Sequence, residues 1–130
     1  MTARQKSWKG MNWIRQEKRL AIYLRDGMAC VYCGATVEDG ARMSLDHIIP
    51  RSQGGTNAAV NLVTCCRRCN SSRADRTVAE FAMAVADYLN HGITARSIME
   101  HIYTTTTHTL DLDAARAIIA RRRDAGHTED

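Results

Sequence analysis

Five cysteines crowd into two short stretches of this 130-residue chain: Cys30-Val-Tyr-Cys33 followed by Gly34, and Cys65-Cys66-Arg-Arg-Cys69. A C-x2-C turn aims two sulfurs at one point. Two such turns complete the closed tetrahedral shell that Zn²⁺ favours, at about 2.3 Å per sulfur. Cys30, Cys33, Cys66 and Cys69 are therefore the expected ligands of a structural zinc ion with no open coordination position. Cys66 rather than Cys65 restores the two-residue spacing to Cys69, which leaves Cys65 for the core. Buried free thiols or a redox pair would explain one knuckle as well as zinc does, but not two in register. Clustered cysteines are also unlike the scattered even set of a secreted disulfide framework, so a reducing, cytoplasmic setting is expected.

The metal matters because of size. The stretch from residue 12 to residue 76 is near the ~60 to 70 residues at which a hydrophobic core alone is marginal, so zinc binding would contribute to folding. With 45% hydrophobic and 25% charged residues and one proline, the sequence is neither collagen-like nor simply disordered. Its longest apolar run, Phe81 to Ala86, falls far short of the ~20 residues a membrane span needs, and Met1 to Lys9 lacks a signal-peptide apolar stretch. No membrane partner and no export signal are expected. Net charge is +5 over residues 1–29, +2 over 30–76 and −3 over 77–130. A basic front and an acidic tail are the layout expected if the front meets a polyanion such as DNA.

Periodicity predicts a helix from Asn12 to Asp26-Gly27, with Arg15, Lys18, Arg19 and Arg25 along it and Trp8 and Trp13 as core anchors. Strands are predicted at 43–49, closed by Pro50, and at 61–65, across a polar loop from Arg51 to Val60 that contains Gly54-Gly55. They form an antiparallel hairpin, and a short helix is predicted over 70–76. Thr77-Val-Ala-Glu80 has the capping-box form and opens an amphipathic helix that runs up to Gly92. Two more helices follow, Thr94 to Tyr103 and Asp113 to Arg123, interrupted by the β-branched run Thr104 to Thr107. Arg121, Arg122 and Arg123 read as a solvated cluster. His91, His101, His108 and His127 lack partners at metal-binding spacing. The expected class is α+β, a small hairpin-helix core stapled by zinc. A basic arm (1–11) precedes the core (12–76), and a helical extension (77–130) follows it.

Between and just after the knuckles lies the chemistry: Asp46-His47-Ile-Ile-Pro50, then Asn61 fourteen positions after His47, then Asn70 nine further on. Hydrolysing a phosphodiester needs a deprotonated water and a cation to neutralise developing charge. A histidine, with an unperturbed pKa of about 6.5, can supply the base, and His47 is assigned that role. Asp46 and Asn70 offer the hard oxygen donors that Mg²⁺ accepts. Neighbours on a regular strand point to opposite faces, so the strand has to twist or end at this point for both Asp46 and His47 to serve one site.

These residues resemble the HNH endonuclease family. The resemblance runs from about Arg19 through Arg76, taking in Arg25-Asp26-Gly27, the D-H-x-x-P-x-S-x-G-G loop, Asn61-Leu62 and C-x-x-C-N. It implies a ββα-metal fold with the site between hairpin and helix, and a DNA endonuclease leaving 5′-phosphate and 3′-hydroxyl ends by one-metal hydrolysis. Asn61 would brace the loop and help orient the base. Asn70 stands where a histidine is common, which should tilt metal preference toward Mg²⁺ or Mn²⁺. Arg73 occupies a basic position and carries a fork able to grip a phosphate, with Asp75 as its local salt partner. Arg51, Arg67, Arg68 and Arg76 would position the DNA backbone. The competing reading is a zinc-stapled DNA-binding or assembly module with little turnover, which would have no reason to keep Asp46, His47 and Asn70 together. Nothing in these residues sets the oligomeric state.

Overall fold

The structure is a computed structural model that describes residues 14–128. The basic arm, Trp8, Trp13 and the predicted helix start at Asn12 lie outside the described residues. Helix α1 spans Gln16–Arg25, followed by the knuckle at 30–33 and strand β1 at Met43–His47. A loop with 3-10 turns at Arg51–Gln53 and Ala59–Asn61 leads to β2 at Leu62–Cys66. Four helices follow: α2 at Arg67–Arg73, α3 at Val78–Leu89, α4 at Ala95–Thr106 and α5 at Leu112–Thr128. The strands pair antiparallel from Met43 opposite Cys66 to His47 opposite Leu62.

All five residues of β2 are buried because both of its faces are covered. Leu62 packs with Ile14 and Ile22 of the α1 region, and the Thr64 hydroxyl donates to the Ile22 carbonyl. Val63 and Cys65, pointing the other way, join a core built from the knuckle, α3 and α4. There Tyr32 meets Phe81 edge to face with ring centroids 4.8 Å apart. That core runs without a break across residue 76, so the helices after it complete the hydrophobic interior of the hairpin.

The Arg25-Asp26-Gly27 segment explains how α1 is fixed. Gly27, at φ +79°, ends the helix in the left-handed region that favours glycine. The buried Asp26 carboxylate accepts hydrogen bonds from Arg25 Nε (2.7 Å), the Thr64 amide (2.8 Å) and the Thr105 hydroxyl (2.6 Å). Arg25 also donates to the carbonyls of Ala59 and Leu62. One ion pair thus ties α1, β2, α4 and the loop between the two strands together.

Several boundaries differ from the sequence reading: β1 ends at His47 and not at residue 49, β2 spans Leu62–Cys66 in place of 61–65, and α5 runs on past Arg123 to Thr128. Helix α2 begins at Arg67, not residue 70, because the Cys66 sulfur caps it by accepting from the Cys69 amide. Helix α3 ends at Leu89, where Asn90 turns left-handed before Gly92 is reached. Helix α4 runs through the threonine run to Thr106. The Thr105 hydroxyl meets Asp26 and that of Thr106 bonds the Ile102 carbonyl, so packing overrides weak helix propensity. The capping box stands as expected, with Thr77 and Glu80 each bonded to the other's amide. Among the described residues no helix is long and apolar enough to cross a membrane.

Burial pushes the Asp26 carboxyl up, but the bonds from Arg25, Thr105 and Thr64 together outweigh it and hold it below the usual carboxylate range. A depressed carboxylate stabilises the fold above its unfolded value, about 3.9, and that stability is lost as pH falls through the lower folded value. Asp26→Asn should cost about 3–5 kcal/mol at neutral pH by leaving Arg25 buried without its charge partner. Urea unfolding should show that deficit shrinking below about pH 4; a deficit unchanged at acid pH would contradict the assignment.

Candidate active site and metal centre

The four sulfurs of Cys30, Cys33, Cys66 and Cys69 all lie within 4.8 Å of one another, and Cys33 and Cys66 are 3.8 Å apart. A regular tetrahedron with arms of about 2.3 Å has edges of roughly 3.8 Å, so the donor set fits Zn²⁺. The chemistry of the set agrees. Hydrogen bonds from the Cys65 and Cys69 thiols hold Cys30 well below the usual thiol range. Burial, followed by neighbouring sulfur charge, pushes Cys33 up to about 11. A dication at this point would admit thiolates that crowd one another in its absence. Cys65 stays outside the set, fully buried with its sulfur on the Cys66 carbonyl. The knuckle is pinned to β2 by the Val31 amide, which donates to the Thr64 carbonyl at 3.0 Å.

Tyr32, held between two of the ligands, joins this centre to the second site. Its hydroxyl donates to Asp46 Oδ2 at 2.9 Å. Burial and then the Asp46 charge raise the phenol far above its ordinary value, keeping it a donor. Arg73 donates to the same Oδ2 at 2.5 Å. Both donors meet Oδ2, which leaves Oδ1 as the oxygen available to a cation.

Asp46, His47 and Asn70 line one cleft of about 340 Å³, together with Leu45, Pro50, Arg51, Arg73 and Ala74. The strand ends at His47 and the chain bends at residues 48 and 49, which is how two sequence neighbours reach the same cleft. Asn70, on α2, donates from its amide nitrogen to the Ser44 hydroxyl at 3.0 Å, leaving its amide oxygen for a metal. Asn61 is buried and laces the loop: its Nδ2 donates to the carbonyls of Ile49 and Thr56, and its Oδ1 accepts from the Ile49 amide. The paired glycines shape the same loop. Gly54 sits at φ +90°, and a Cβ on Gly55 would lie 1.7 Å from the Ile49 carbonyl oxygen.

Arg73 requires a correction. It is 5% exposed, and its guanidinium is spent inside the protein, on Asp46 and on the carbonyls of His47, Ile48 and Arg76. The early start of α2 puts it at the helix end, facing the last residues of β1. It braces the site and does not present a phosphate fork, and its ion partner is Asp46, while Asp75 is exposed. Arg51, Arg67, Arg68 and Arg76 are exposed, and Arg51 alone of these lines the cleft. His91, His101 and His108 are exposed, while the side chain of His127 lies outside the described residues.

Two residues of the site were missed by sequence reasoning. Tyr32 was legible as a residue flanked by two ligands, hence fixed in place, but its target lies fourteen positions on. Asn57 accepts at Oδ1 from Arg51 at 3.2 Å and meets His47 Nε2 at 2.9 Å. It sits in a polar loop with no periodicity to mark it.

A hairpin and helix clasped by four cysteines, with an aspartate, a histidine and an asparagine in the adjoining cleft, define a ββα-metal domain. Residues 30–86 match the family model described as HNH endonuclease. The chain is 41% identical over 59 residues to the CRISPR-associated endonuclease Cas9 of Corynebacterium diphtheriae, covering 45% of this chain and 5% of that protein. It is 42% identical over 65 residues to the Cas9 of Actinomyces naeslundii, covering 49% and 6%. The chain thus spans only a small fraction of the length of these curated relatives. The crystal structure of the Type II-C Cas9 enzyme from Actinomyces naeslundii aligns with 22% identity and a TM-score of 0.44, over 85% of this chain and 14% of that one.

Elemental analysis of the purified chain should find about one zinc per molecule, and Cys30→Ser should lower both zinc content and stability by several kcal/mol, since metal binding is part of folding. An unchanged melting temperature in that variant would discredit the zinc centre.

Proposed function

We propose that this chain is a divalent-metal-dependent DNA endonuclease in which His47 is the general base and Asp46 and Asn70 hold a catalytic Mg²⁺ or Mn²⁺. The observation that carries the reading is the meeting of Asp46, His47 and Asn70 in one cleft within the segment that matches the nuclease family. Carboxylate and amide oxygens are hard donors, suited to Mg²⁺ or Mn²⁺ in preference to softer ions. When bound, the cation neutralises charge developing on the scissile phosphate and stabilises the leaving oxygen.

The remaining work belongs to the chain itself. His47 takes the proton of the attacking water, which yields 5′-phosphate and 3′-hydroxyl ends on in-line displacement at phosphorus. Asn61 holds the loop that keeps His47 in place, and Tyr32 and Arg73 hold Asp46. Arg51 borders the cleft and meets the DNA backbone there, with Arg67, Arg68 and Arg76 providing further phosphate contacts along α2 and just beyond it. The thiolate cluster suits a reducing, cytoplasmic setting.

Supercoiled plasmid incubated with the zinc-loaded protein and Mg²⁺ or Mn²⁺ should be nicked. His47→Ala at equal zinc content should be slower by a factor on the order of 10² to 10⁴. A variant as fast as the parent would remove His47 as the base. A parent that binds DNA without cutting it under either metal would favour the binding-module reading.

A further inference from the structure

Two donors converge on one oxygen in the loop that faces the base. A guanidinium carries only N–H donors, so the Asn57 atom that Arg51 meets at 3.2 Å is the amide oxygen. That oxygen can only accept. His47 Nε2, 2.9 Å from it, therefore carries the hydrogen, and in the neutral ring the lone pair falls to Nδ1.

We infer that Asn57 is the positioning residue for His47, holding the imidazole in the Nε2–H tautomer so that Nδ1 is the nitrogen that takes the proton from water. The inference rests on the nuclease reading for the role of His47 as base, and on the hydrogen-bond chemistry alone for the tautomer. It follows the logic of a base oriented by a third group. Here the orienting group is a neutral amide, which fixes the ring without placing a negative charge beside it.

The loop is built to hold that amide still. Lys18 Nζ, from α1, donates to the Asn57 carbonyl at 2.6 Å. The preceding carbonyl, of Thr56, accepts from Asn61 Nδ2 at 2.8 Å. Two positions before Asn57, Gly55 makes the close approach to Ile49 that no other residue permits. His47 is fixed at its main chain by Arg73, which donates to its carbonyl at 2.8 Å. The contact between Asn57 and His47 is thus clamped from α1, from Asn61 and from α2.

The test uses the full zinc-loaded chain with ¹⁵N-labelled histidine. Long-range ¹H–¹⁵N correlation near pH 8, where histidine is neutral, reports the tautomer, with the His47 signals assigned by their loss in His47→Gln. The parent should show a pyrrole-like Nε2 and a pyridine-like Nδ1. Asn57→Leu, which cannot accept, should shift the ring toward mixed tautomers and lower kcat for nicking by roughly 10- to 100-fold with little change in KM. Asn57→Asp, which still accepts, should restore the tautomer and most of the rate at equal zinc content, which separates positioning from loss of fold. A parent in the Nδ1–H form, or Asn57→Leu with the Nε2–H signature intact, overturns the inference. A parent that cuts no DNA yet loses the signature in Asn57→Leu overturns the nuclease reading and leaves the hold of Asn57 on the ring standing.

Discussion

Four sulfurs from two distant turns meet at one point, and the rest of the site is measured from there. Cys30 and Cys33 fix the knuckle, while Cys66 and Cys69 fix the entry and first turn of α2. An ion held by all four would lock the two segments at a set distance. Tyr32 rides on the first segment and Asn70 and Arg73 on the second, so the same clasp decides where Asp46 is gripped and where the Asn70 amide lies. A core of this size could not impose that by hydrophobic packing alone, since apolar contacts are non-directional.

Buried charge does the second part of the work. Asp46 with Arg73, and Asp26 with Arg25, are ion pairs whose side chains are almost wholly withdrawn from water. Such pairs add little net stability compared with apolar replacements, yet losing one partner is costly. Here each pair also bonds to neighbouring elements. Arg73 reaches Asp46 and His47 at the end of β1 and Ile48 just beyond it, and Arg25 reaches the last turn of the loop between the strands and the first residue of β2. Through Lys18 and Arg25, α1 steadies the loop that carries Asn57 although it lies before the segment matched to the family.

What could be read from the chain beforehand was whatever depends on short-range spacing. The clustering of four cysteines, the hairpin, the capping box at Thr77 and the meeting of Asp46, His47 and Asn70 in one cleft all carry their signal within a few residues or in fixed offsets. What could not be read depends on partners far away in sequence. The start of α2 rests on a sulfur acting as a cap, a role usually filled by Ser, Thr, Asp or Asn. The length of α4 rests on Thr105 finding Asp26 seventy-nine positions earlier. Arg73 looked like a phosphate fork because its residue type fits one; only its burial beside Asp46 reveals a brace. Tyr32 and Asn57 were passed over for the same reason, each acting on a side chain that local pattern does not connect to it.

The central claim is that the cysteine knuckle reaches Asp46, the carboxylate proposed to hold the catalytic cation, through Tyr32. It is tested most directly by titrating Mn²⁺ into the zinc-loaded chain and its Tyr32→Phe variant, following bound ion by electron paramagnetic resonance. Removing one hydroxyl that orients a ligand should weaken Mn²⁺ binding by about 10- to 100-fold while zinc content stays at one per chain. Equal Mn²⁺ affinity in the two proteins would show that Asp46 needs no support from the knuckle, and the account would be wrong at its root.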